Sequence, residues 1–206
     1  MTTKLVLIRH GQSLWNQKNI FTGWTDIKLS TTGIKEAKAA GQKLKKAKIN
    51  FDLAFTSVLS RAIQTLWFAT EEMDTLYLPT TKAWQLNERH YGGLQGLNKA
   101  QMTKKVGEEQ VKIWRRSYDI RPPKISKEQY AELARDPRYA GLKKSQIPYH
   151  ESLKDTCARV WPYYQTAIEP ELKKGKNIII AAHGNSLRGL ITVSYTHLTL
   201  PTNREV

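Results

Sequence analysis

The chain has 206 residues, 40% of them hydrophobic and 25% charged, which is typical of one soluble globular domain with a sizeable core. No apolar run is long enough for a transmembrane helix, and the amino-terminal residues lack the basic and then apolar pattern of a signal peptide. Cys157 is the only cysteine, which excludes an internal disulfide and favours a reducing compartment, so the cytoplasm is the expected location.

The net charge is +15, because 33 Lys and Arg residues outnumber 18 Asp and Glu residues. Such a balance attracts polyanions, either nucleic acid or phosphorylated small molecules. Many lysines between residues 35 and 48 fall on one predicted helix, where a solvated surface is the ordinary explanation. No helix-turn-helix, zinc-finger or RNA-recognition motif accompanies them, so nucleic acid is not expected as a partner.

Strands and helices alternate along the first part of the chain. Apolar runs predict buried strands over residues 4–9 and 52–56. Ser30 is a favourable N-cap for an Ala-rich helix that reaches about residue 48, and Ser57 is expected to open a second helix that reaches about residue 72. Two further short strands are predicted, over residues 77–78 and 83–85.

The next segment, residues 87–150, is polar, aromatic and rich in Gly and Pro. We expect short helices and long loops here, forming an irregular lid or binding wall. A helix over residues 151–172, a strand over 177–182 and a helix from Asn185 are predicted to follow. This alternation predicts an α/β fold, a three-layer sandwich in which a mostly parallel sheet has helices on both faces.

Two predicted strands end in a His-Gly pair, His10-Gly11 near the amino terminus and His183-Gly184 in the last quarter of the chain. In such folds ligands bind beyond the carboxyl ends of the strands, where both histidines are placed. With Arg9 before it, His10 suits a nucleophile that accepts a phosphoryl group, since guanidinium groups bias an imidazole towards its neutral form. Gly11 would let backbone N–H groups approach the phosphate, and His183 would donate a hydrogen bond to it.

Two charged residues have both a catalytic and a structural interpretation. Arg61 falls in the first turns of the helix after the second strand, where it either clamps the phosphoryl group or lies on the surface. Glu88 is either a general acid with a raised pKa or the ion-pair partner of Arg89. The residues alone favour the clamp for Arg61 and leave Glu88 undecided.

The lid carries further cations. Adjacent arginines on a helix point in different directions, so Arg115 and Arg116 are typical of a solvated face. Above a phosphate site they would instead hold a substrate carboxylate or a second phosphate, together with Lys99. His90 and His150 lack partners at metal-ligand spacing and no nucleotide-binding motif is present, so neither a metal nor a nucleotide is expected.

Six segments of the chain form recognisable motifs: Ile8–Asn16 (IRHGQSLWN), Phe21–Trp24 (FTGW), Thr56–Ala62 (TSVLSRA), Leu86–Gly92 (LNERHYG), Trp114–Arg116 (WRR) and Ala181–Arg188 (AAHGNSLR). Together they resemble the histidine phosphatase superfamily and, within it, the 2,3-bisphosphoglycerate-dependent phosphoglycerate mutases. The resemblance covers about residues 3–190. The Arg-His-Gly element marks only the superfamily, whereas the NERHYG and WRR segments point to the mutases.

The resemblance implies a phosphoglycerate mutase-like fold that interconverts 3-phosphoglycerate and 2-phosphoglycerate in glycolysis and gluconeogenesis. His10 would become phosphohistidine, primed by 2,3-bisphosphoglycerate. Glu88 would donate and accept the proton, and His183, Arg9 and Arg61 would stabilise the transferring phosphoryl group. No metal is implied, and family members are commonly homodimers or tetramers. Carried over by motif, the substrate-binding residues would be Arg9, His10, Gly11, Gln12, Ser13, Leu14, Trp15, Asn16, Thr22, Gly23, Arg61, Glu88, Arg89, His90, Tyr91, Lys99, Arg115, Arg116, Gly184 and Asn185.

The resemblance stops in mid-helix after about Leu190. We therefore expect a mutase-like domain over residues 1–191 and an atypical tail, foreign to the fold, over residues 192–206. Loss of the family's last strand would uncover core side chains, so an inactive truncated fragment is one alternative.

Two other functions compete with the mutase. A histidine-type phosphatase of small phosphorylated metabolites would transfer the phosphoryl group to water, and a non-catalytic module would only bind polyanions. The long lid with Arg115 and Arg116 favours the mutase, since it would shield a phosphohistidine from water.

Overall fold

The structure, a computed structural model, describes residues 3–197 of the chain. Within this range one parallel sheet has the strand order β1-β4-β2-β3. Its strands are β1 (Leu5–Arg9), β2 (Leu53–Thr56), β3 (Thr80–Lys82) and β4 (Ile178–Ala182). The central strand β4 is completely buried, as expected for a run of Ile and Ala between two helical layers.

Helices occupy most of the remaining chain. The α-helices are α1 (Leu14–Gln17), α2 (Thr31–Lys46), α3 (Ser60–Glu72), α4 (Lys99–Val106), α5 (Glu108–Arg116), α6 (Lys127–Arg135), α7 (Leu153–Tyr163), α8 (Glu169–Lys173) and α9 (Gly184–His197). A π-helical turn, Tyr164–Ile168, joins α7 to α8, and short 3-10 turns cover Trp84–Leu86, Gly92–Leu94, Pro137–Tyr139 and Lys144–Gln146. None of the described helices is both long and apolar enough to span a bilayer.

Two apolar layers hold the helices against opposite faces of the sheet. On one face, Leu66 of α3 packs with Ala54 and Ile179 of the sheet. On the other face, Val160 of α7 and Leu187 of α9 pack with Ile180 and its neighbours. The predicted α/β fold with helices on both faces of a parallel sheet is confirmed.

Several predicted boundaries are wrong by a few residues. Ser57 does not open α3, because that helix begins at Ser60 and the side chain of Ser57 is engaged elsewhere. The third strand occupies Thr80–Lys82 rather than residues 77–78 or 83–85. Leu78 belongs to a turn in which its N–H bonds to the carbonyl of Thr75, and its side chain packs in the core.

The segment over residues 87–150 consists of short helices and loops, as predicted. It contains helices α4, α5 and α6, and the described residues form no strand within it. Two small apolar clusters anchor it to the loop after β1, one around Phe21, Leu94 and Val111 and the other around Trp24 and Tyr139. The predicted helix over 151–172 is interrupted by the π-helical turn, just after Pro162 removes a backbone donor from α7.

The sheet register determines where the two histidines lie. Arg9 of β1 pairs with Ala182 of β4, and the backbone N–H of His10 donates to the carbonyl of Ala182 at 2.9 Å. His10 and His183 therefore leave the sheet side by side, each one residue beyond a paired position. Helix α9 starts at once after His183 and continues to His197, so its backbone passes residue 192, where the atypical tail is predicted to begin. Residues 198–206 of that tail lie outside the described residues.

Candidate active site

Three side chains converge beyond the carboxyl ends of β1 and β4. One side-chain nitrogen or oxygen from each of His10, Glu88 and His183 lies within 4.8 Å of the other two. The two imidazole rings are 5.0 Å apart between centroids and tilted by 60°. The convergence predicted for the two histidines is therefore present, and Glu88 joins them from the turn after residue 86.

His10 is held as a neutral imidazole with one free ring nitrogen. Its Nδ1 lies 2.7 Å from the carbonyl oxygen of Gly11, and a carbonyl only accepts, so Nδ1 carries the proton. The lone pair is consequently on Nε2. Burial, with the charges of Arg61 and Arg9 also contributing, lowers the pKa of His10 to about 3. The side chain is thus an unprotonated nucleophile at neutral pH.

His183 is completely buried and has one ring nitrogen without a partner. Its Nε2 lies 2.7 Å from the hydroxyl of Ser57, whereas its Nδ1 contacts no polar atom in the described chain. Burial, followed by the charge of Arg61, holds the pKa of His183 well below its usual value. A buried polar atom without a partner is satisfied when a ligand binds beside it.

Glu88 is half-buried, and its two carboxylate oxygens have different surroundings. Oε1 accepts the backbone N–H groups of Arg89 at 2.8 Å and Asn185 at 3.2 Å. The backbone carbonyl of Glu88 accepts from Trp24 and Arg159, which fixes the residue from behind. The guanidinium of Arg89 donates to the carbonyl of Arg115, and among residues 3–197 no ion pair joins it to Glu88, so the ion pair considered for Glu88 is not formed.

Arg61 is a buried cation at the start of α3, not a surface residue. Its guanidinium donates to the carbonyls of Gly23 at 2.7 Å and Thr25 at 3.0 Å, which ties the loop after β1 to the helix. Burial lowers the pKa of Arg61 to about 10, so it remains charged at neutral pH. Two of its five N–H donors are occupied by these carbonyls, and others are left for a ligand.

His10, Glu88 and Arg61 line a cavity of about 340 Å³ with a strongly cationic wall, whereas the fully buried His183 is not among its lining residues. Six cations line it, and Glu88 is the acidic residue among the described lining residues. Burial, with Arg115 and Arg9 nearby, lowers the pKa of Lys99, which is the response of a cation crowded by other cations. The six are Arg9, Arg61, Lys99, Arg115, Arg116 and Arg188.

Most of the predicted substrate-binding residues line this cavity. They are Arg9, His10, Asn16, Thr22, Gly23, Arg61, Glu88, Tyr91, Lys99, Arg115, Arg116, Gly184 and Asn185. Sequence reasoning missed Ile20, Phe21 and Arg188, which also line it. Arg188 lies one turn into α9 from Gly184, so the helical repeat after the His-Gly pair would have located it.

The residues that follow His10 lie behind the cavity rather than in its wall. Gly11 donates its N–H to Thr65, and a side chain there would meet the carbonyl of Gly33 at 2.3 Å, so this glycine allows close packing against α2. The side chain of Ser13 caps α1, and that of Gln12 accepts from Ser30. The predicted residues outside the lining are Gly11, Gln12, Ser13, Leu14, Trp15, Arg89, His90 and His183.

Arg89 and His90 are buried supports of the lid. The guanidinium of Arg89 stacks over the ring of Tyr91 at 4.6 Å and donates to the carbonyl of Arg115 at 3.0 Å. His90 donates its backbone N–H to Glu151 and accepts from Gly92 through Nδ1. These contacts shape the wall to which Tyr91 and Arg115 belong without placing Arg89 or His90 in the cavity.

Two histidines and a carboxylate are also the ligand types of many transition-metal sites. No spacing pattern marks such a cluster in the sequence, since His10, Glu88 and His183 are far apart along the chain. The charges of Arg61 and Arg9 act on these histidines and oppose a further cation. The same charges attract a phosphoryl group, so the electrostatics of the cluster favour an anion over a metal.

Comparisons with known proteins agree with this geometry. The model of the histidine phosphatase superfamily (branch 1) matches residues 5–138. A relative from Lactiplantibacillus plantarum, named 2,3-bisphosphoglycerate-dependent phosphoglycerate mutase 2, is 58% identical over 187 residues, which are 91% of this chain and 81% of the relative.

Solved structures share the fold. A phosphoglycerate mutase from Bacillus anthracis superposes with a TM-score of 0.67 at 20% identity, covering 96% of this chain and 82% of its own. A mycobacterial glucosyl-3-phosphoglycerate phosphatase superposes with a TM-score of 0.70 at 26% identity, covering 95% and 83%. From its sequence, its fold and its paired histidines, the chain belongs to the histidine phosphatase superfamily.

Proposed function

We propose that this chain is a 2,3-bisphosphoglycerate-dependent phosphoglycerate mutase, which interconverts 3-phosphoglycerate and 2-phosphoglycerate in glycolysis and gluconeogenesis. The observation that carries the proposal is the neutral His10 beside His183 and Glu88 in a cavity lined by six cations. The 58% identical relative, which spans most of both chains, bears the same name.

The cavity suits a small, highly charged phosphate ester such as 2,3-bisphosphoglycerate. Arg9 and Arg61 lie beside His10 and would hold one phosphoryl group, while Arg115, Arg116 and Lys99 line the cavity and would hold the second phosphate or the carboxylate. An anion bound there would also relieve the repulsion between Lys99 and its cationic neighbours Arg115 and Arg9. When bound, 2,3-bisphosphoglycerate supplies the phosphoryl group that loads His10.

The chain's own residues then have distinct roles. Nε2 of His10 forms the bond to phosphorus while the bond from phosphorus to the ester oxygen breaks. Glu88 delivers a proton to that oxygen and, in the reverse half-reaction, removes it from the attacking hydroxyl. Arg61, Arg9 and the free Nδ1–H of His183 stabilise the negative charge on the oxygens being transferred.

A second candidate is a phosphatase, in which water takes the phosphoryl group from His10. The solved relative named as a glucosyl-3-phosphoglycerate phosphatase favours it, since that protein shares the fold over 95% of this chain. The mutase is favoured by Arg115 and Arg116, which α5 contributes to the cavity wall above His10 and which would exclude water from the phosphohistidine.

Two measurements test the proposal. Bisphosphoglycerate labelled in its phosphoryl groups is expected to leave an acid-labile label on the wild-type protein and none on His10→Ala. In steady state, added 2,3-bisphosphoglycerate is expected to accelerate formation of 2-phosphoglycerate, with little phosphate released. If phosphate release dominates, the chain is a phosphatase rather than a mutase. If the wild-type protein acquires no label, both proposed functions are rejected.

Further features of the proposal concern partners and location. We expect a small phosphorylated substrate to be the ligand, with neither nucleic acid nor a membrane as partner. A homodimer or tetramer in the cytoplasm, without a bound metal, is the expected state. Light scattering of the purified protein checks its oligomeric state, and elemental analysis checks its metal content.

A further inference from the structure

Ser57 is a completely buried residue that follows β2 and contacts the imidazole of His183. Its Oγ lies 2.7 Å from Nε2 of His183 and accepts the backbone N–H of Leu59 at 3.2 Å. We propose that Ser57 is a positioning residue, which donates its hydroxyl proton to Nε2 and so fixes His183 in the tautomer that carries its proton on Nδ1. The proposal rests on the function proposed above and adds a residue to its machinery.

The direction of this hydrogen bond follows from counting donors and acceptors. A serine hydroxyl has one proton to donate, and Leu59 already occupies one of its acceptor positions. If Nε2 carried the proton, the hydroxyl proton of Ser57 would need another acceptor, and the described residues offer it none within bonding distance. Donation from Ser57 to Nε2 is therefore the arrangement that leaves no group on Ser57 unsatisfied.

The resulting tautomer lets His183 donate a hydrogen bond from Nδ1 to the phosphoryl group. With Nε2 accepting, Nδ1 bears the proton and is the nitrogen without a partner in the described chain. Because burial disfavours the doubly protonated ring, one nitrogen of His183 carries the single proton, and a hydroxyl that donates to Nε2 favours the tautomer with this proton on Nδ1. Without Ser57, the proton is free to occupy Nε2, and Nδ1 would then present a lone pair to the phosphoryl oxygens.

Nitrogen-15 NMR of histidine-labelled protein reads the tautomer directly. In the wild type at pH 7.5, His183 is expected to show a protonated Nδ1 and an unprotonated Nε2, with the Nδ1–H signal shifting when inorganic phosphate is added. In Ser57→Ala we expect the signals of the Nε2–H tautomer to appear. A wild-type His183 protonated on Nε2, or a tautomer unchanged in Ser57→Ala, would overturn the proposal. This readout needs no turnover, so it stands apart from the success or failure of the mutase assignment.

Kinetics distinguish positioning from general destabilisation. Ser57→Ala is expected to lower kcat by about tenfold to a hundredfold, the effect of losing one donor to a charged oxygen, with little change in KM. Ser57→Thr retains the hydroxyl and is expected to recover most of the rate.

The matched control is Thr56→Val, which removes a neighbouring buried hydroxyl that donates to the carbonyl of Ala181 at 2.8 Å. It is expected to lower the thermal midpoint about as much as Ser57→Ala while leaving kcat within about twofold. If Thr56→Val and Ser57→Ala lose the same fraction of kcat, Ser57 is a structural residue and not a positioning residue. If the wild-type protein shows the expected tautomer of His183 but no mutase activity, the proposed function is rejected while the role of Ser57 in fixing the tautomer stands.

Discussion

At the scale of single residues, the carboxylate of Glu88 is divided between support and chemistry. Oε1 is occupied by two backbone N–H groups, from Arg89 and Asn185. Oε2 lies on the side of Gly184 and Arg9, because a Cβ added to Gly184 would meet Oε2 of Glu88 at 3.9 Å and Nε of Arg9 at 3.8 Å. The oxygen nearest the cationic wall is thus the one available for proton transfer.

The variant Glu88→Gln distinguishes the structural role of this carboxylate from its role in proton transfer. The amide oxygen can still accept from Arg89 and Asn185, so the thermal midpoint is expected to stay close to that of the wild type. The amide has no proton to exchange, so kcat is expected to fall by about a hundredfold to ten-thousandfold, the usual contribution of a general acid. A variant that retains more than a tenth of the wild-type kcat would contradict the assigned role. Steady-state assay and calorimetry on one preparation check both expectations.

The sequence predicted some residues of the site much better than others. His10 and His183 were placed together because parallel strands end at the same edge, which is a property of the chain's pattern. The packing of Gly11 against Gly33 could not be predicted from the sequence, because Gly33 lies opposite Gly11 only in the folded chain. The hydroxyl of Ser57 was assigned to a helix start for the same reason.

At the scale of elements, the backbone of the loop after β1 lies directly against the backbone at the start of α2. A side chain at Gly33 would lie 2.0 Å from the carbonyl of Gln12, and one at Gly11 would lie 2.3 Å from the carbonyl of Gly33. Both carbonyls belong to rigid segments, since Ser30 caps α2 and also bonds to Gln12. The position of His10 therefore depends on the absence of a methyl group at Gly33.

Gly33→Ala is expected to move the start of α2 away from β1. We expect a loss of about 1–3 kcal/mol in the free energy of unfolding, as for other overpacked sites, and a lower kcat because His10 shifts. Gly141→Ala is the matched control, since nothing lies within 4 Å of its added methyl group. Chemical denaturation checks both variants, and equal stability of the two would show that α2 accommodates the methyl group.

The buried ion pair between Arg159 and Glu151 organises the segment that carries Glu88. Arg159 bonds to Glu151 at 2.7 Å and also donates to the carbonyls of Gln85, Asn87 and Glu88. A lysine cannot make this set of bonds, because it lacks the planar fork of the guanidinium. The pair joins α7 to the turn that ends in the active site.

Arg159→Lys is therefore expected to lower the free energy of unfolding by about 2–4 kcal/mol and to reduce kcat. Arg121→Lys serves as the comparison, because Arg121 is 53% exposed in its pair with Asp155 and an exposed pair contributes about 1 kcal/mol or less. Urea denaturation of the two variants checks the difference. If Arg159→Lys lowers the free energy of unfolding no more than Arg121→Lys does, the pair between Arg159 and Glu151 does not hold Glu88 in place.

Some helix and strand boundaries follow from the local sequence, whereas others depend on contacts that form only in the folded chain. The prediction of Ser30 as an N-cap is confirmed, because its hydroxyl accepts from the N–H of Gly33 while donating to Gln12. Ser57 has the same local preference, but a buried imidazole that follows another strand takes its hydroxyl. The third strand, Thr80–Lys82, is polar and exposed, so no apolar pattern marks it.

At the scale of the whole molecule, three buried histidines of the described chain make stability depend on pH. Burial lowers the pKa of His10 and of His90 to about 3, and holds the pKa of His183 well below its usual value. In the unfolded chain the pKa of each returns to about 6.5. The unfolded state therefore binds more protons than the folded state below pH 6.5, and stability falls as the pH falls.

Each histidine is expected to contribute about 1.4 kcal/mol per pH unit in this range, so the three together contribute about 4 kcal/mol per unit. Denaturation curves at pH 7.5, 6.5, 5.5 and 4.5 check the slope, which is expected to be shallow above pH 6.5 and steep below it. A free energy of unfolding that is constant from pH 7 to pH 5 would contradict neutral burial of these side chains.

The hydrogen bond from the backbone N–H of His10 to the carbonyl of Ala182 limits how the substrate can move between the two half-reactions. It fastens the two imidazoles to adjacent strands, and the spacing of such strands, about 4.8 Å, does not stretch. The floor of the cavity is thus rigid, while a three-carbon substrate has to rotate so that first one oxygen and then its neighbour faces the same nitrogen. The room for that rotation has to come from the side walls, where Asn16 of α1 and the arginines of α5 belong to elements that are less buried than β4.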